Sequence, residues 1–412
     1  MQCILVHIDE DRYACAHETE DHARAVKGTI RALMNFRSAL SLETQADRII
    51  DDLIGQIGDA NAFDLAIAFI NPDKTGTAEH VFQSLHDKTG SAQFIGCTAA
   101  ATIGNTHEVE DRPSTSLLVA RLPGVHIENI ASIDENALGA RHDARACILL
   151  VDPFSTDSEE LLRRLNRIAP SVPVIGGISS WASRHGENRL ASNENIAMSG
   201  IAGVMLSGNL SVTSVVSQGC RPVGGRFEIT ASQDNVINEL DDEPPLQILQ
   251  DVFAKSSEID QNLMRTGTLV GCGVSSEAAD LGPGSFLIRD LLGANTSSGA
   301  LSVAGRVNNG GIAQFHVRDA GSARDDLEML LTPQAFEERA AGALLFTCTG
   351  RGHRFFGEPD VDISITATAL GGGVPMAGFF CAGEFGPIGN ENFVHGYTAS
   401  SVIFRPQATG TP

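Results

Sequence analysis

Reactive and charged side chains are concentrated in two short stretches near the carboxyl end of the chain, TCTGRGHRFFG and GFFCAGEFGPIG. Each stretch directly follows an apolar run that is typical of a buried strand. In open sheets, ligands bind outside the carboxyl ends of the strands. We therefore expect both loops, with one histidine further on, to line a single pocket. The candidate residues are Cys348, Arg351, His353, Cys381, Glu384 and His395.

Arg351 stands between two glycines, immediately after the first of these strands. Glycines let the backbone approach a ligand closely, and a guanidinium binds a carboxylate through two parallel hydrogen bonds. This pattern favours a ligand that carries a carboxylate, such as an amino acid. The alternative is that Arg351 pairs with an internal acid, such as Asp360 or Glu384, and fixes the loop in place.

Cys381 and His395 together meet the minimum requirement for a thiol nucleophile with its base, and Glu384 is an acid that could orient the base. This would give a thiol-dependent hydrolase of small amides or esters. However, no known thiol-enzyme signature surrounds Cys381, and its phenylalanine neighbours and Glu384 would raise the pKa of the thiol. The sequence therefore favours a binding protein over an enzyme and predicts that Cys381 and Cys348 are protected thiols.

Two earlier loops, GCTAAATIG and GGISSWASRHG, offer small hydroxyls and free backbone N–H groups that suit an anion. Neither matches a nucleotide-binding glycine motif. The residues expected to contact the ligand from these loops are Gly96, Cys97, Thr98, Gly176, Gly177 and Ser179.

A pattern of strand, helix and strand occurs three times in the chain, and each copy leads into a glycine loop. The copies extend from Ile67 to Gly96, from Ile148 to Gly176 and from Leu344 to Gly378. Parallel strands with right-handed crossovers would place the three loops at the same edge of their sheets. Segments of alternating polarity between the copies predict antiparallel strands. The expected fold is mixed α/β (α+β), in two packed halves.

Composition excludes several classes of function. The 51 acidic residues outnumber the 29 basic ones, giving a formal charge of −22, which argues against nucleic acid as a partner. No apolar run is long enough for membrane insertion. The eight cysteines show no metal-binding spacing, so we expect free thiols, no metal and a cytoplasmic location.

Several longer strings resemble the FIST family of sensory domains. FRSALS, DLAIAFI, FIGCTAA, PVIGGISS and SQGCRPVG are similar to its N-terminal half. FHVRDAGSARDDLE, CTGRG, VPMAGFFCAGEFGPIG and FVHGYTAS are similar to its C-terminal half. The resemblance implies a FIST N-terminal domain over residues 34–240 and a FIST C-terminal domain over 241–412. Residues 1–33 would be an extension that is not native or is poorly ordered, or a short native segment with one helix around Asp21 to Met34.

The resemblance also implies a function in small-ligand sensing and signal transduction, with the output passed to a partner protein in trans. We expect no cofactor. The family alternative is a haem-based sensor of nitric oxide, for which His316, His353 and His395 are the candidate axial ligands.

Overall fold

The computed structural model describes residues 34–58, 63–131, 143–277, 279 and 281–407, and the backbones of two strands before residue 34. The chain folds as two compact units, Met1–Leu33 and Met34–Pro412. In the first unit, β1 (Ile4–Asp9) and β2 (Arg12–Ala16) form an antiparallel ribbon. The helix predicted around Asp21 to Met34 falls on residues outside the described ones, apart from Met34, which is not helical.

The second unit is of the α+β class, as the sequence predicts. Its strands are, in chain order, β3 (Asn35–Ser41), β4 (Leu65–Asn71), β5 (Gln93–Thr98), β6 (Thr102–Gly104), β7 (His107–Val109), β8 (Ser114–Arg121), β9 (Val125–Ile130), β10 (Ala144–Val151), β11 (Val174–Ile178), β12 (Leu190–Ser192), β13 (Asn195–Ala197), β14 (Ile201–Gly208), β15 (Leu210–Gln218), β16 (Cys220–Gln233), β17 (Val236–Leu240), β18 (Thr268–Gly273), β19 (Phe286–Ala294), β20 (Leu301–Val303), β21 (Ile312–Arg318), β22 (Gly342–Cys348), β23 (Met376–Cys381), β24 (Glu384–Ile388), β25 (Glu391–His395) and β26 (Thr398–Pro406). Its helices are α1 (Ala46–Ile57), α2 (Thr75–Thr89), α3 (Ser158–Ile168), α4 (Pro245–Lys255), α5 (Glu258–Thr266), α6 (Ala320–Leu331), a 3-10 helix (Thr332–Phe336), α7 (His353–Phe356) and α8 (Val361–Ala369).

The three predicted strand–helix–strand units are present, and the two strands of each pair in parallel. They are β4–α2–β5, β10–α3–β11 and β22–α8–β23. The two strands of each unit lie in the middle of a six-stranded sheet. On its other side, the first strand of the unit pairs with an antiparallel strand. We call these the first, second and third sheets. Their strand orders correspond position by position, as expected for a divergent internal repeat.

Each sheet is completed by a hairpin that belongs to another unit. The hairpin β6–β7, which follows the first unit, pairs with β23 of the third sheet. The hairpin β24–β25 follows the third unit and pairs with β11 of the second sheet. The hairpin β12–β13 follows the second unit and pairs with β5 of the first sheet. This cyclic exchange ties the three units together, so that none of the three sheets is complete without a neighbouring unit.

A glycine occupies the same place in the second strand of each unit, because the facing strand approaches closely there. A Cβ atom at Gly96 would lie 2.6 Å from the carbonyl oxygen of Ala68. At Gly176 and Gly378, a Cβ would collide with the carbonyl oxygens of the facing strands. These glycines lie inside their strands, which continue for two or three more residues, so the strand–helix–strand copies extend beyond the ends expected at Gly96, Gly176 and Gly378.

The three sheets pack their inner faces against one apolar core, to which Ile67, Ile148 and Leu344 all contribute. The helices cover the outer faces. In α1, the buried residues fall at helical spacing, which creates one apolar face for the first sheet. Helix α3 begins at the cap Asp157, whose side chain accepts a hydrogen bond from the N–H of Glu160, and packs on the second sheet. Helices α6 and α8 pack on the third sheet.

A closed antiparallel barrel, in the order β16-β17-β20-β19-β18-β21, lies between the second and third units in the chain. Helices α4 and α5 pack against its core. The barrel takes strands from both sides of residue 241, so the expected division into 34–240 and 241–412 passes through it. The sequence pattern did not indicate helix α5, although its capping residue Ser257 and the acidic residues of its first turn are a recognisable start signal.

Candidate functional site

The sequence predicts the three glycine loops at the same edge of their sheets, and in the structure these loops are joined to one another by direct hydrogen bonds. Ser180 Oγ accepts a hydrogen bond from the N–H of Ala100, 3.0 Å away, and donates one to the carbonyl oxygen of Phe380. Ser179 Oγ donates to the carbonyl oxygen of Thr98 at 2.5 Å. The hydroxyls that were expected to bind a ligand therefore hold the three units together.

Most of the residues predicted to contact the ligand in these loops are closely packed. Cys97, Thr98 and Cys381 have no exposed surface, and Ser179 is 1% exposed. At Gly177, a Cβ atom would lie 2.5 Å from Cys381 Sγ, so this glycine makes room for the thiol. Gly96 and Gly176 accommodate neighbouring strands, as described above. This edge is a closely packed junction of the fold.

Arg351 is almost fully buried and pairs with Asp362 in the first turn of α8. Its Nε and Nη2 donate to the two oxygens of that carboxylate, each at 2.7 Å. The guanidinium also lies over the ring of Phe356, 5.2 Å from its centroid. The internal pairing that the sequence allowed for Arg351 is therefore present, but its partner is Asp362 rather than Asp360 or Glu384. Because Nε and Nη2 both donate to Asp362, Arg351 is not free to hold a ligand carboxylate in this structure.

Two buried carboxyl groups flank this ion pair, and sequence reasoning missed Glu108. Glu108 comes from the exchanged hairpin β6–β7 and accepts a hydrogen bond from the N–H of Ile363 through Oε1 at 2.9 Å. Glu384 accepts from the hydroxyl and the N–H of Thr398 through Oε2, at 2.7 and 3.2 Å. Glu108 Oε2 and Glu384 Oε1 are buried without a partner among the described residues.

The physical state of these carboxyl groups follows from their surroundings. Burial raises the pKa of Glu384 to about 8, although the hydrogen bonds from Thr398 act in the opposite sense. Burial and the charge of Asp362 raise the pKa of Glu108 to about 8 as well. Both groups are therefore mainly protonated at neutral pH, which explains how they can remain buried.

The thiols of this region are buried, as the sequence predicts. Cys348 and Cys381 face each other in the parallel pairing of β22 with β23. Burial, with a further contribution from Glu384, raises the pKa of Cys348 to about 12 and that of Cys381 well above its usual range. The six cysteines with described side chains are free, and Cys147 is a core residue of the second sheet. No thiolate is favoured at this site.

The candidate histidines do not form the arrangements that a hydrolase or a haem site needs. His395 is buried, its Nε2 donates to the carbonyl oxygen of Gly386 at 3.0 Å, and burial lowers its pKa to about 4. Burial, the largest cause, and Glu384 both raise the pKa of Cys381, so its surroundings favour the thiol over the thiolate. His316 is buried and bonded to the carbonyl oxygen of Gln314, while His353 lies beside Glu110, with Nδ1 3.1 Å from Oε2. None of the three lines the cleft of about 630 Å³ on the barrel.

An open cleft of about 630 Å³ lies on the barrel, where β16 faces α4 and the start of α5. None of the sequence-predicted site residues belongs to it. Its lining residues are Pro222, Val223, Gly224, Gly225, Phe227, Asp241, Glu243, Ile248, Asp251, Val252, Lys255, Ser256, Ser257 and Asp260. A pairing irregularity between Val223 and Arg226 leaves Gly224 and Gly225 outside the ladder with β21. Bulges of this kind occur frequently beside binding sites.

These features define an α+β protein in which three strand-exchanged units carry a small barrel with an open cleft. Residues 64–243 match the FIST N domain, and residues 245–387 match the FIST C domain. The chain therefore belongs to the FIST family, whose domains generally act as sensors in signal transduction.

Similar proteins are known from mycobacteria. An uncharacterized protein of Mycobacterium tuberculosis is 38% identical over 350 residues, which covers 82% of this chain and 91% of that protein. An uncharacterized protein of Mycobacterium bovis is 38% identical over 365 residues, covering 86% of this chain and 92% of the relative. Among solved structures, a cyanuric acid hydrolase from A. caulinodans aligns at 6% identity with a TM-score of 0.30, covering 92% of this chain and 100% of that one. This similarity is too weak to support a conclusion about the present chain.

Two further properties of the described ranges are relevant to function. No helix in them combines the length and apolar character needed to cross a membrane. In the same ranges, no group of three or more His, Cys, Asp or Glu side chains is arranged to hold a metal ion.

Proposed function

We propose that this chain is a cytoplasmic small-ligand receptor whose bound state is passed to a partner protein in trans. Its ligand is an amino acid or a related metabolite that carries a carboxylate and an ammonium group. The barrel cleft, rather than the loops around Arg351, is the binding site. The observation that carries this proposal is the cleft itself, because it joins an apolar floor to unpaired charges of both signs.

The floor of the cleft is apolar and has a volume suited to a metabolite. Val223, Phe227, Ile248 and Val252 line it, and small-molecule sites are typically pockets of roughly 300 to 1,000 Å³ with such linings. Gly224 permits the close approach of α4, since a Cβ there would lie 2.8 Å from a methyl carbon of Val252. The cleft is thus formed by contacts that larger residues would block.

Charged groups around the cleft suit both ends of an amino acid. The side chains of Glu243 and Lys255 have no hydrogen-bond or ionic partner among the described residues. Among the residues that the structure describes, Asp251 accepts a hydrogen bond from Gln247 alone, at 3.2 Å, while Asp260 is held by Arg221. Free carboxylates attract an ammonium group, and Lys255 attracts a carboxylate. The proposed ligand is therefore still a carboxylate, as expected from the sequence. The cation that binds it is Lys255 instead of Arg351.

No observation in the structure favours either alternative function, the thiol-dependent hydrolase or the haem sensor. A hydrolase would need Cys381 as a thiolate near His395, and both groups are buried in their neutral forms. A haem sensor would need an axial histidine that faces a wide apolar cavity.

The proposal is tested by calorimetric titration with three related probes. L-lysine carries the ammonium and carboxylate groups, cadaverine lacks the carboxylate, and hexanoate lacks the amines. L-lysine should bind the wild type, and Lys255→Ala should weaken it by roughly tenfold, since a charge-assisted hydrogen bond contributes about 1.5 kcal/mol. Cadaverine should be unaffected by Lys255→Ala, whereas Glu243→Gln should weaken both amines.

Lys74→Ala is the matched control, because Lys74 is an exposed lysine at the start of α2, far from the barrel in sequence. Binding of hexanoate but of neither amine would contradict the assignment of ligand class. Binding of L-lysine that is unchanged in both cleft variants would show that the ligand binds elsewhere.

A further inference from the structure

Helix α6 and the following 3-10 helix expose three large apolar side chains. Phe336 is 87% exposed, Met329 is 59% exposed and Leu330 is 37% exposed. The opposite face of the same helix is anchored in the core, where Leu327 and Leu331 have no exposed surface. The exposed residues are therefore not needed to pack the helix against the core. We call them the α6 face.

Exposed carboxylates outnumber exposed basic groups beside the α6 face, where Arg324 is paired with Glu358 and Arg339 donates to the carbonyl oxygen of Gly372 at 3.4 Å. Asp325 and Glu328 lie on the exposed side of α6, and Glu337 and Glu338 directly follow Phe336. A second cleft, of about 280 Å³, adjoins this segment and is lined by residues 334–335, 337–340, 368–371 and 405. Arg405 donates hydrogen bonds to the carbonyl oxygen of Glu338 and to Gln334, so it is already occupied.

The geometry points to the α6 face as the docking surface for a basic amphipathic helix of a partner protein. Apolar anchors beside a groove are how proteins bind such helices, and aromatic side chains carry much of the binding energy at interfaces. The acidic rim selects a partner with lysine or arginine beside its apolar stripe. A second copy of this chain is disfavoured, because two such faces would bring like charges together in a molecule of formal charge −22.

A short ionic bridge joins the start of α6 to the cleft on the barrel. Asp319 caps α6 by accepting from the N–H of Ser322 at 3.1 Å, and its other oxygen accepts from Arg221 Nε at 2.7 Å. The same guanidinium binds Asp260, which lines the cleft, at 2.5 Å. A ligand ammonium that competes for Asp260 would alter the restraint on the start of α6. This link rests on the proposed function, whereas docking at the α6 face does not.

The test is a fluorescence anisotropy titration with a labelled peptide, about 18 residues of leucine and lysine arranged as an amphipathic helix. The full chain should bind it, and the double variant Met329→Ser/Phe336→Ser should bind at least tenfold more weakly. Phe154→Ser is the matched control, since Phe154 is also exposed, at 41%, and belongs to the second strand–helix–strand unit. The corresponding leucine and glutamate peptide should not bind.

Two outcomes would overturn the inference. Equal peptide binding by the wild type and the double variant would show diffuse attraction to an acidic chain. A concentration-dependent dimer that Phe336→Ser abolishes, measured by sedimentation, would assign the face to a second copy instead. The titration contains no small ligand, so its outcome does not depend on whether the cleft binds L-lysine.

Discussion

Replacing the buried Glu384 by glutamine should make the protein more stable at neutral and alkaline pH. The carboxyl is fully buried, accepts two hydrogen bonds from Thr398 through one oxygen, and leaves the other oxygen without a partner among the described residues. Its pKa is raised from 4.5 to about 8 in the folded chain. Glutamine keeps a similar shape and acceptor but carries no titrating proton.

The sign of the effect follows from proton binding. The folded state holds the proton more tightly than the unfolded state, so the group's stabilising contribution is complete below the unfolded pKa and is lost as pH rises toward the folded one. Each unit of difference is worth about 1.4 kcal/mol, so roughly 3 kcal/mol should be lost by pH 7. Glu384→Gln should remove most of that loss.

Urea unfolding at pH 5, 6, 7 and 8 measures this difference. The free energy of unfolding should fall less steeply with pH in Glu384→Gln than in the wild type. Glu391→Gln is the control, since Glu391 is exposed on the same hairpin. A wild-type pH slope retained in Glu384→Gln would refute the assignment of a protonated, buried carboxyl.

Three further predictions concern the same region. Arg351→Ala should cost about 3 to 5 kcal/mol of unfolding free energy, because Asp362 is left buried without its partner, and Arg351→Lys should restore only part of it; a variant with wild-type stability in chemical denaturation would contradict the pairing. Gly177→Ala should lower the melting temperature because the new Cβ meets Cys381 Sγ, and adding Cys381→Ala should recover part of the loss; no recovery would mean that the thiol is not the obstacle. Cys348 and Cys381 should react with iodoacetamide only after unfolding, as followed by peptide mapping between pH 6 and 9, and rapid native labelling at pH 6.5 would favour the thiol enzyme.

The sequence predicts those parts of the fold that depend on local pattern. Buried strands, amphipathic helices and their repetition are visible because neighbouring residues carry the signal, as in the isoleucines and leucine of α1, which recur at helical spacing. The burial of these thiols is equally visible, since Phe379 and Phe380 directly precede Cys381 and Cys348 stands at the end of an apolar run. The place of each glycine loop at the edge of its own sheet follows from the common direction of the two parallel strands.

The hairpin exchange could not be predicted, and most of the differences at the site follow from it. Segments interpreted as ligand loops, such as the one beginning at Glu384, are strands that complete a neighbouring sheet. Glu108 is buried only because its hairpin crosses to the third unit and reaches the start of α8. The partner of Arg351 depends on which residue of the first turn of α8 faces the sheet, and three acids lie close together in that part of the sequence.

The barrel cleft was missed for a different reason. Its walls come from β16 and from α4 with α5, and neither segment looks unusual by itself. The paired glycines at 224 and 225 were the one available signal, because glycine inside a strand often marks a bulge.

Hydrogen–deuterium exchange with saturating L-lysine tests the location of the ligand site most directly. The account predicts slower exchange at residues 222–227 and 241–260, which line the cleft, and no change at residues 348–353 and 381–384. Protection of the Arg351 and Cys381 loops, with the cleft segments unchanged, would contradict it and return the ligand to the junction of the three units.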